Sequence, residues 1–312
     1  MAAKGQPDRV RQRHERARHC PADHQTLTRF RTDTISRGII MFQRSSLIAA
    51  VLALGLGALV STPAEAHRRW LLPSATVLSG ETETVSVDAA ASNELFVFDH
   101  RAMPLDSLQI TGPDGAAVQP EIVGSARYRS VFDVPLKAQG TYRIALASDG
   151  AMGFYQLGGE RHRLRAATVS EARASVPEGA TDVRISAASS RTETFVTLGA
   201  PTDTALAPTG RGLEMVPVTH PNDLVATEPA TVRFLLDGAP AAGLEVEFVK
   251  EGTRYRDDAG IQTLTTDADG QVELTAATPG MYYIETGSTK EGGADGIPHR
   301  ASYTGVLEFL PL

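Results

Sequence analysis

Eight histidines are spread through the 312 residues, and the one at position 67 has a setting the others lack. It follows Ser61-Thr62-Pro63-Ala64-Glu65-Ala66, small residues ending in the A-x-A pattern of a signal-peptide cleavage site. Cleavage after Ala66 would make His67 an amino terminus. Its α-amine and an imidazole nitrogen could then close a chelate ring on a transition metal, and imidazole suits zinc, copper, iron and nickel. The alternative is that cleavage merely exposes His67, and that Trp70 and Leu71 matter more, by packing a first strand. Arg68 and Arg69 weigh against cation binding by raising the local positive potential.

Two further histidines could complete such a site. His100 follows Phe98-Asp99, so a carboxylate could join it, or it could simply be exposed. His220 sits in Val218-Thr219-His220-Pro221-Asn222-Asp223, near a boundary between halves of the chain, where ligand sites gather. It could instead be a turn histidine whose ring bonds the backbone of Asn222 or Asp223. The candidate metal ligands are therefore His67, His220 and His100. His162, in the basic run Glu160-Arg161-His162-Arg163, is expected to face solvent, and His299 follows Pro298 in a Gly-rich stretch. No two histidines have the H-x-x-x-H spacing of a zinc helix, so a site must be assembled from distant segments.

Other polar runs have plainer readings. Arg254-Tyr255-Arg256-Asp257-Asp258 could recognise a carboxylate or a chelated metal through arginine forks, or be a charged edge that discourages sheet aggregation. Asp267-Ala268-Asp269-Gly270 lacks the ligand spacing of a calcium loop and reads as a turn. There is no nucleophile elbow, phosphate loop or dinucleotide fingerprint, so the chain is not expected to be an enzyme.

The elements that must position these residues are mostly strands. The Ala/Leu-rich run 47–60 has 14 residues, short for a membrane span and right for the core of a signal peptide. Met41 would begin such a peptide, with the Arg-rich residues 1–40 either translated only on paper or a disordered leader. Of 30 bases and 37 acids, 10 bases and 5 acids precede residue 67, leaving 20 and 32 and a net charge of −12 on an exported chain. An acidic surface argues against nucleic acid. The single cysteine, Cys20, also precedes residue 67, so an exported chain has no disulfide and no thiolate metal site.

After residue 67, short alternating or apolar runs recur about every ten residues between Gly and Pro turns. They fall at 81–87, 95–98, 108–111, 128–134, 141–147, 183–187 and 193–198. Residues 170–174 read as a short helix with Ser170 as N-cap. A Pro/Thr-rich linker follows at 200–210. Further strands are expected at 232–236, 244–249, 264–266, 271–275, 280–285 and 303–309, with Asp237-Gly238 as a hairpin turn. The fold class is all-β, two antiparallel β-sandwiches in tandem after a signal peptide, immunoglobulin-like or transthyretin-like. The divisions are 1–40, the signal peptide 41–66, a sandwich at 67–199, a linker at 200–210 and a second sandwich at 211–312.

The run His67-Arg68-Arg69-Trp70-Leu71-Leu72-Pro73-Ser74 carries a family resemblance, together with residues 88–96, Pro113-Asp114-Gly115, 212–224 and 236–246. Together they resemble a bacterial periplasmic family of unknown function that has borne a NikM-type nickel/cobalt transport label. Thr266-Asp267-Ala268-Asp269-Gly270 and Pro279-Gly280-Met281-Tyr282 are similar to a carboxypeptidase-regulatory or transthyretin-like module. The resemblance implies a non-catalytic periplasmic binding protein assisting nickel or cobalt uptake, with an outer-membrane receptor or inner-membrane transporter as partner. Two other readings stay open: a metal-independent module that docks such a membrane partner, and a copper oxidase or monooxygenase using an amino-terminal histidine.

Overall fold

The computed structural model describes residues 67–292 and 296–312, which belong to one compact unit, Ala64–Leu312. The expected leader and signal peptide, residues 1–66, lie outside the described residues. The first half of the fold holds β1 (Arg68–Pro73), β2 (Val77–Leu78), β3 (Glu83–Ser92), β4 (Arg101–Ala102), β5 (Leu108–Thr111) and β6 (Glu121–Ser125). It continues through β7 (Ser130–Leu136), β8 (Gly140–Leu157), β9 (Glu160–Ala166), helix α1 (Val169–Ala174) and β10 (Thr181–Leu198). The second half holds β11 (Leu213–Pro217), β12 (Pro229–Leu236), β13 (Ala239–Pro240), β14 (Glu245–Lys250) and β15 (Gln262–Thr265). It ends with β16 (Gln271–Thr275), β17 (Gly280–Lys290) and β18 (His299–Phe309).

The architecture is essentially all-β, with sheets packed face to face. The strands alternate buried and exposed positions as a half-buried sheet must: Ser130–Leu136 buries every second residue. One apolar layer joins Leu71, Val87, Phe132 and Val134 of the β1-β3-β7-β6 sheet to Tyr142, Ile144 and Val196 of the largest sheet. A second joins Met215, Val232 and Phe234 of the β11-β12-β13 sheet to Phe248, Ile284 and Phe309 of that same large sheet. Each half is thus one sandwich layer pair.

The two halves are not separate in tandem, as the chain order led us to expect. The largest sheet runs β15-β14-β17-β18-β10-β8-β5, and β10 pairs in parallel with β18 from Ala187↔His299 to Thr194↔Val306. Parallel neighbours need not be close in sequence, so local pattern cannot register them. Residues 200–210 are pinned as well. Ala205 and Leu206 are buried, and the Ala207 carbonyl accepts from Arg143 Nη1 at 3.0 Å.

Several local expectations change. Residues 95–98 form no strand; Phe96 takes φ +58° and the segment is a loop whose rings pack on Trp70. The runs at 183–187 and 193–198 are one 18-residue strand, β10. The helix is capped two residues earlier than expected: Thr168 Oγ1, not Ser170, accepts from the Glu171 backbone N–H at 3.1 Å. Asp237 and Gly238, at φ +52° and +80°, do form the hairpin turn between β12 and β13.

Candidate metal site

Strand register brings His67 and His100 together. β1 and β4 both pair antiparallel with β3, on opposite sides of it, with Arg69↔Ala91 and Ala91↔Arg101 on one rung. The residues just before each strand, His67 and the loop end at His100, therefore emerge at the same end of β3. Two strand spacings would separate their backbones by about 10 Å. The side chains close that gap: the imidazole rings stack with centroids 3.5 Å apart and planes inclined 11°. An imidazole nitrogen points its lone pair in the ring plane, so two stacked rings aim theirs side by side and would have to turn out of the stack to converge on one ion at about 2 Å.

Trp70 fixes both arms of this pair. It is fully buried, and its Nε1 donates to Ser92 Oγ at 2.8 Å, at the end of β3. Its ring meets Phe96 at 5.4 Å and Phe98 at 5.3 Å, which seats the loop that ends at His100. Asp99 Oδ1 accepts from the Asn93 backbone N–H at 2.9 Å and closes that loop on itself.

The two arginines beside His67 are turned to other work. Arg68 Nη2 donates to Glu247 Oε2 at 2.9 Å and its Nη1 lies 3.9 Å from Glu285 Oε2, so two carboxylates offset its charge. Arg69 Nη2 donates to Ser302 Oγ at 2.9 Å. Burial lowers the Arg69 pKa, with Tyr283 and Glu285 opposing and Arg101 and Arg165 adding to the fall. The His100 imidazole is also held below its ordinary value of 6.5, first by desolvation, then by the facing His67 and by Arg101, while Asp99 pulls the other way. A neutral imidazole is the form that ligates a metal.

His220 lies elsewhere. Its Nδ1 accepts from the Asn222 backbone N–H at 3.2 Å, which leaves the proton on Nε2, 3.0 Å from Thr141 Oγ1. It sits at the Thr141↔Thr197 end of β8 and β10, where Thr197 Oγ1 also donates to Asn222 Oδ1 at 2.9 Å. His299 Nε2 bonds Ser189 Oγ at 3.2 Å, and His162 stacks on Tyr155 at 5.2 Å. Among the described residues, no group of three or more His, Cys, Asp or Glu side chains is placed to hold a metal. Arg256 folds back on its own loop, donating to the carbonyls of Glu251, Lys250 and Ala259, so it offers no fork to a ligand. That segment is a loop with Tyr255 83% exposed, not an edge strand. Asp267 Oδ1 accepts from the N–H groups of Asp269 and Gln271, which makes the Asp267–Gly270 run a self-bonded turn.

The sequence reading missed a buried ionic cluster. Glu193, fully buried on β10, accepts from Arg143 Nε at 3.0 Å and from the Tyr303 hydroxyl at 2.9 Å, with Arg191 Nη1 at 3.5 Å. Glu214 accepts from the Thr209 and Gly210 backbone N–H groups at 2.7 Å each. Burial alone would lower the Arg143 pKa, but Glu193, Tyr303 and Glu214 outweigh it and raise it. The Tyr303 hydroxyl is pushed well up by burial and by Glu193, so it stays a donor. The sequence signal was charge placed in an apolar strand, Arg191-Thr192-Glu193 ahead of Phe195-Val196.

Among solved structures, the chain is similar to the D0-D1 domain of intimin at 11% identity and a TM-score of 0.19, over 77% of this chain and 97% of that one. It is also similar to the mouse nectin-like molecule 4 ectodomain at 8% identity and a TM-score of 0.19, over 78% and 64%. A marsupial T cell receptor matches at 11% identity and a TM-score of 0.19, over 78% and 74%. Likenesses of that size carry no argument. The chain has no match among curated proteins. A family model matches residues 64–290, and the chain belongs to that family, the Domain of unknown function (DUF4198).

Proposed function

We propose that this is an exported, non-catalytic periplasmic protein that captures a transition-metal ion, nickel or cobalt, for uptake. Cleavage after Ala66 would give His67 a free α-amine. That amine, the His67 ring and the His100 ring would hold the ion, and the ion's partner downstream would be an outer-membrane receptor or inner-membrane transporter. The stacked His67–His100 pair carries the reading. Three features support the reading once the rings turn from their stack toward one ion: both ligands are nitrogen donors, His100 is biased to its neutral form, and Arg68 is offset by two carboxylates. His220, which the sequence offered as a third ligand, keeps its hydrogen bonds to Thr141 and Asn222 on this reading. A NikM-type identity accords with this assignment. We also read each half as an immunoglobulin-like or transthyretin-like sandwich, supported by matching tyrosines. Tyr142 and Tyr282 each follow a positive-φ glycine by two residues, and each hydroxyl donates at 2.8 Å to the carbonyl four residues upstream.

Titration calorimetry with nickel, cobalt, copper and zinc tests the reading on protein beginning at His67. A parallel protein carries one extra residue before His67, and a third carries His100→Ala. Nickel or cobalt binding that both changes weaken at least tenfold is the expected result. Equal binding by all three proteins would sink the chelate, and no binding by any would sink the metal reading.

An all-nitrogen donor set also suits tetragonal copper(II), so a copper oxidase or monooxygenase is the second reading. It predicts copper as the tightest ion, a nitrogen-coupled EPR signal and oxygen turnover. A metal-independent docking module would instead use β6, an edge strand with Ile122 58% and Val123 63% exposed. It predicts membrane-partner capture unchanged by His100→Ala.

A further inference from the structure

Strand β9 carries arginine at every second position, Arg161, Arg163 and Arg165, with His162, Leu164 and Ala166 between them. Period-2 alternation puts the two sets on opposite faces. Leu164 and Ala166 pack with Ala151, Ile185 and Ala172 under helix α1, so that face is covered. The arginine face is the other one. Register extends it across the sheet: Arg163 and Arg184 both lie opposite Phe154, Arg165 opposite Met152, and Arg300 pairs with Ala188 two rungs on.

These five arginines line one concave space of about 750 Å³, and among the described residues no carboxylate lines it. All five are exposed, and only Arg184 has an ion-pair partner among the described residues, Asp182 at 3.2 Å. Phe154 and the 37%-exposed Met152 give the space an apolar floor. The Arg161 guanidinium lies 3.6 Å from the Phe154 ring centroid, stacked so that its N–H edge remains available. The whole chain carries a net charge of −7, so this field is opposite in sign to its surroundings. Five like charges on neighbouring rungs repel, and an unliganded surface gains nothing from them. All are arginine, whose fork matches pairs of phosphate oxygens where lysine offers a point charge.

We propose that this face is a binding site for a ligand bearing more than one phosphate group. The guanidinium groups of Arg163, Arg165 and Arg300 fork onto phosphate oxygens, Arg161 is held in place by Phe154, and the apolar floor takes the ligand's carbon skeleton. The site is distinct from the His67–His100 pair and does not need a metal.

Calorimetry of the full chain at low ionic strength, with inorganic tripolyphosphate as the probe, tests this. Tripolyphosphate should bind, and Arg163→Ser with Arg165→Ser should weaken it by about tenfold or more, a loss of about 1.4 kcal/mol for each tenfold. Arg254→Ser, an exposed arginine elsewhere, should leave binding unchanged. Should the double serine variant melt early, Arg163→Lys with Arg165→Lys keeps the charge and removes the forks, and should still weaken binding several-fold. A second arm measures co-sedimentation with vesicles of phosphatidylcholine and cardiolipin, a lipid whose headgroup bears two phosphates. Vesicle binding lost in the double variant, without tripolyphosphate binding, supports the site and assigns its phosphate to lipid headgroups. The proposal is overturned if neither probe binds, if Arg254→Ser weakens binding as much as the double variant, or if citrate binds as tightly as tripolyphosphate.

Discussion

A histidine next to two arginines looks like a poor cation ligand until its neighbours are placed. Arg68 reaches Glu247 and Glu285, and Arg69 reaches Ser302, so neither guanidinium points its charge unopposed at His67. What remains beside His67 is a second imidazole. Two imidazolium ions cannot stack at 3.5 Å without repulsion, and desolvation and the facing ring hold the His100 pKa down. The sign follows. His100 has a folded pKa below 6.5, so acid disfavours the folded pairing, and the loss grows as pH falls from 6.5 through the lowered value. In a proton NMR titration the His100 ring should have its midpoint below 6.5, and His67→Ala should move it up. A midpoint at or above 6.5 that ignores His67→Ala would show that the rings do not interact in solution. On the proposed metal reading, the ion should dissociate over the same acidic range, as protons compete for the nitrogens.

At the level of elements, β8 and β10 form the spine, paired from Thr181↔Gln156 to Leu198↔Gly140. Their inner ends hold the ionic cluster that ties strands from both halves. Arg143 on β8 bonds Glu193 on β10 and donates to the carbonyls of Ala207 and Met215, while Tyr303 on β18 closes on Glu193. Removing one partner of a buried pair leaves the others desolvated and unpaired, which costs about 3–5 kcal/mol. Glu193→Ala should therefore lower the unfolding free energy by about that much in urea. A loss under 1 kcal/mol would mean the cluster is wet or rearranged in solution. His67 and His100 lie outside this cluster, so on the proposed metal reading the variant should leave metal affinity unchanged once folded.

Across the whole molecule, the shared sheet makes the two sandwiches mechanically one. Both apolar layers lean on the same nine-stranded sheet, and a third, around Trp70, joins Ala90 of one half to Val249, Tyr283 and Val306 of the other. Trp70 is the chain's single tryptophan, so its fluorescence reports that joint. Denaturation followed by Trp70 fluorescence and by far-ultraviolet circular dichroism should give one coincident transition. Two separated transitions would mean that the halves fold independently and that the β10–β18 pairing is weak.

Local chemistry determined what is local. Asp237-Gly238 accepts positive φ and so makes a hairpin, the 108–111 and 271–275 runs alternate and so make β5 and β16, and the Gly-x-Tyr steps at 142 and 282 begin late strands. These follow from backbone sterics and period-2 burial over a few residues, which any reader of the sequence can apply. The sequence also singled out His67 and His100, but with His220 among them and with no means of choosing. Tertiary structure groups them, because the β1-β3-β4 register puts positions 67 and 100 at one strand end and leaves position 220 at Thr141. It also decided the parallel β10–β18 joint and the arginine face of β9. Those depend on which strands lie side by side, and that is set by burial summed over the whole chain, not by any short run of residues.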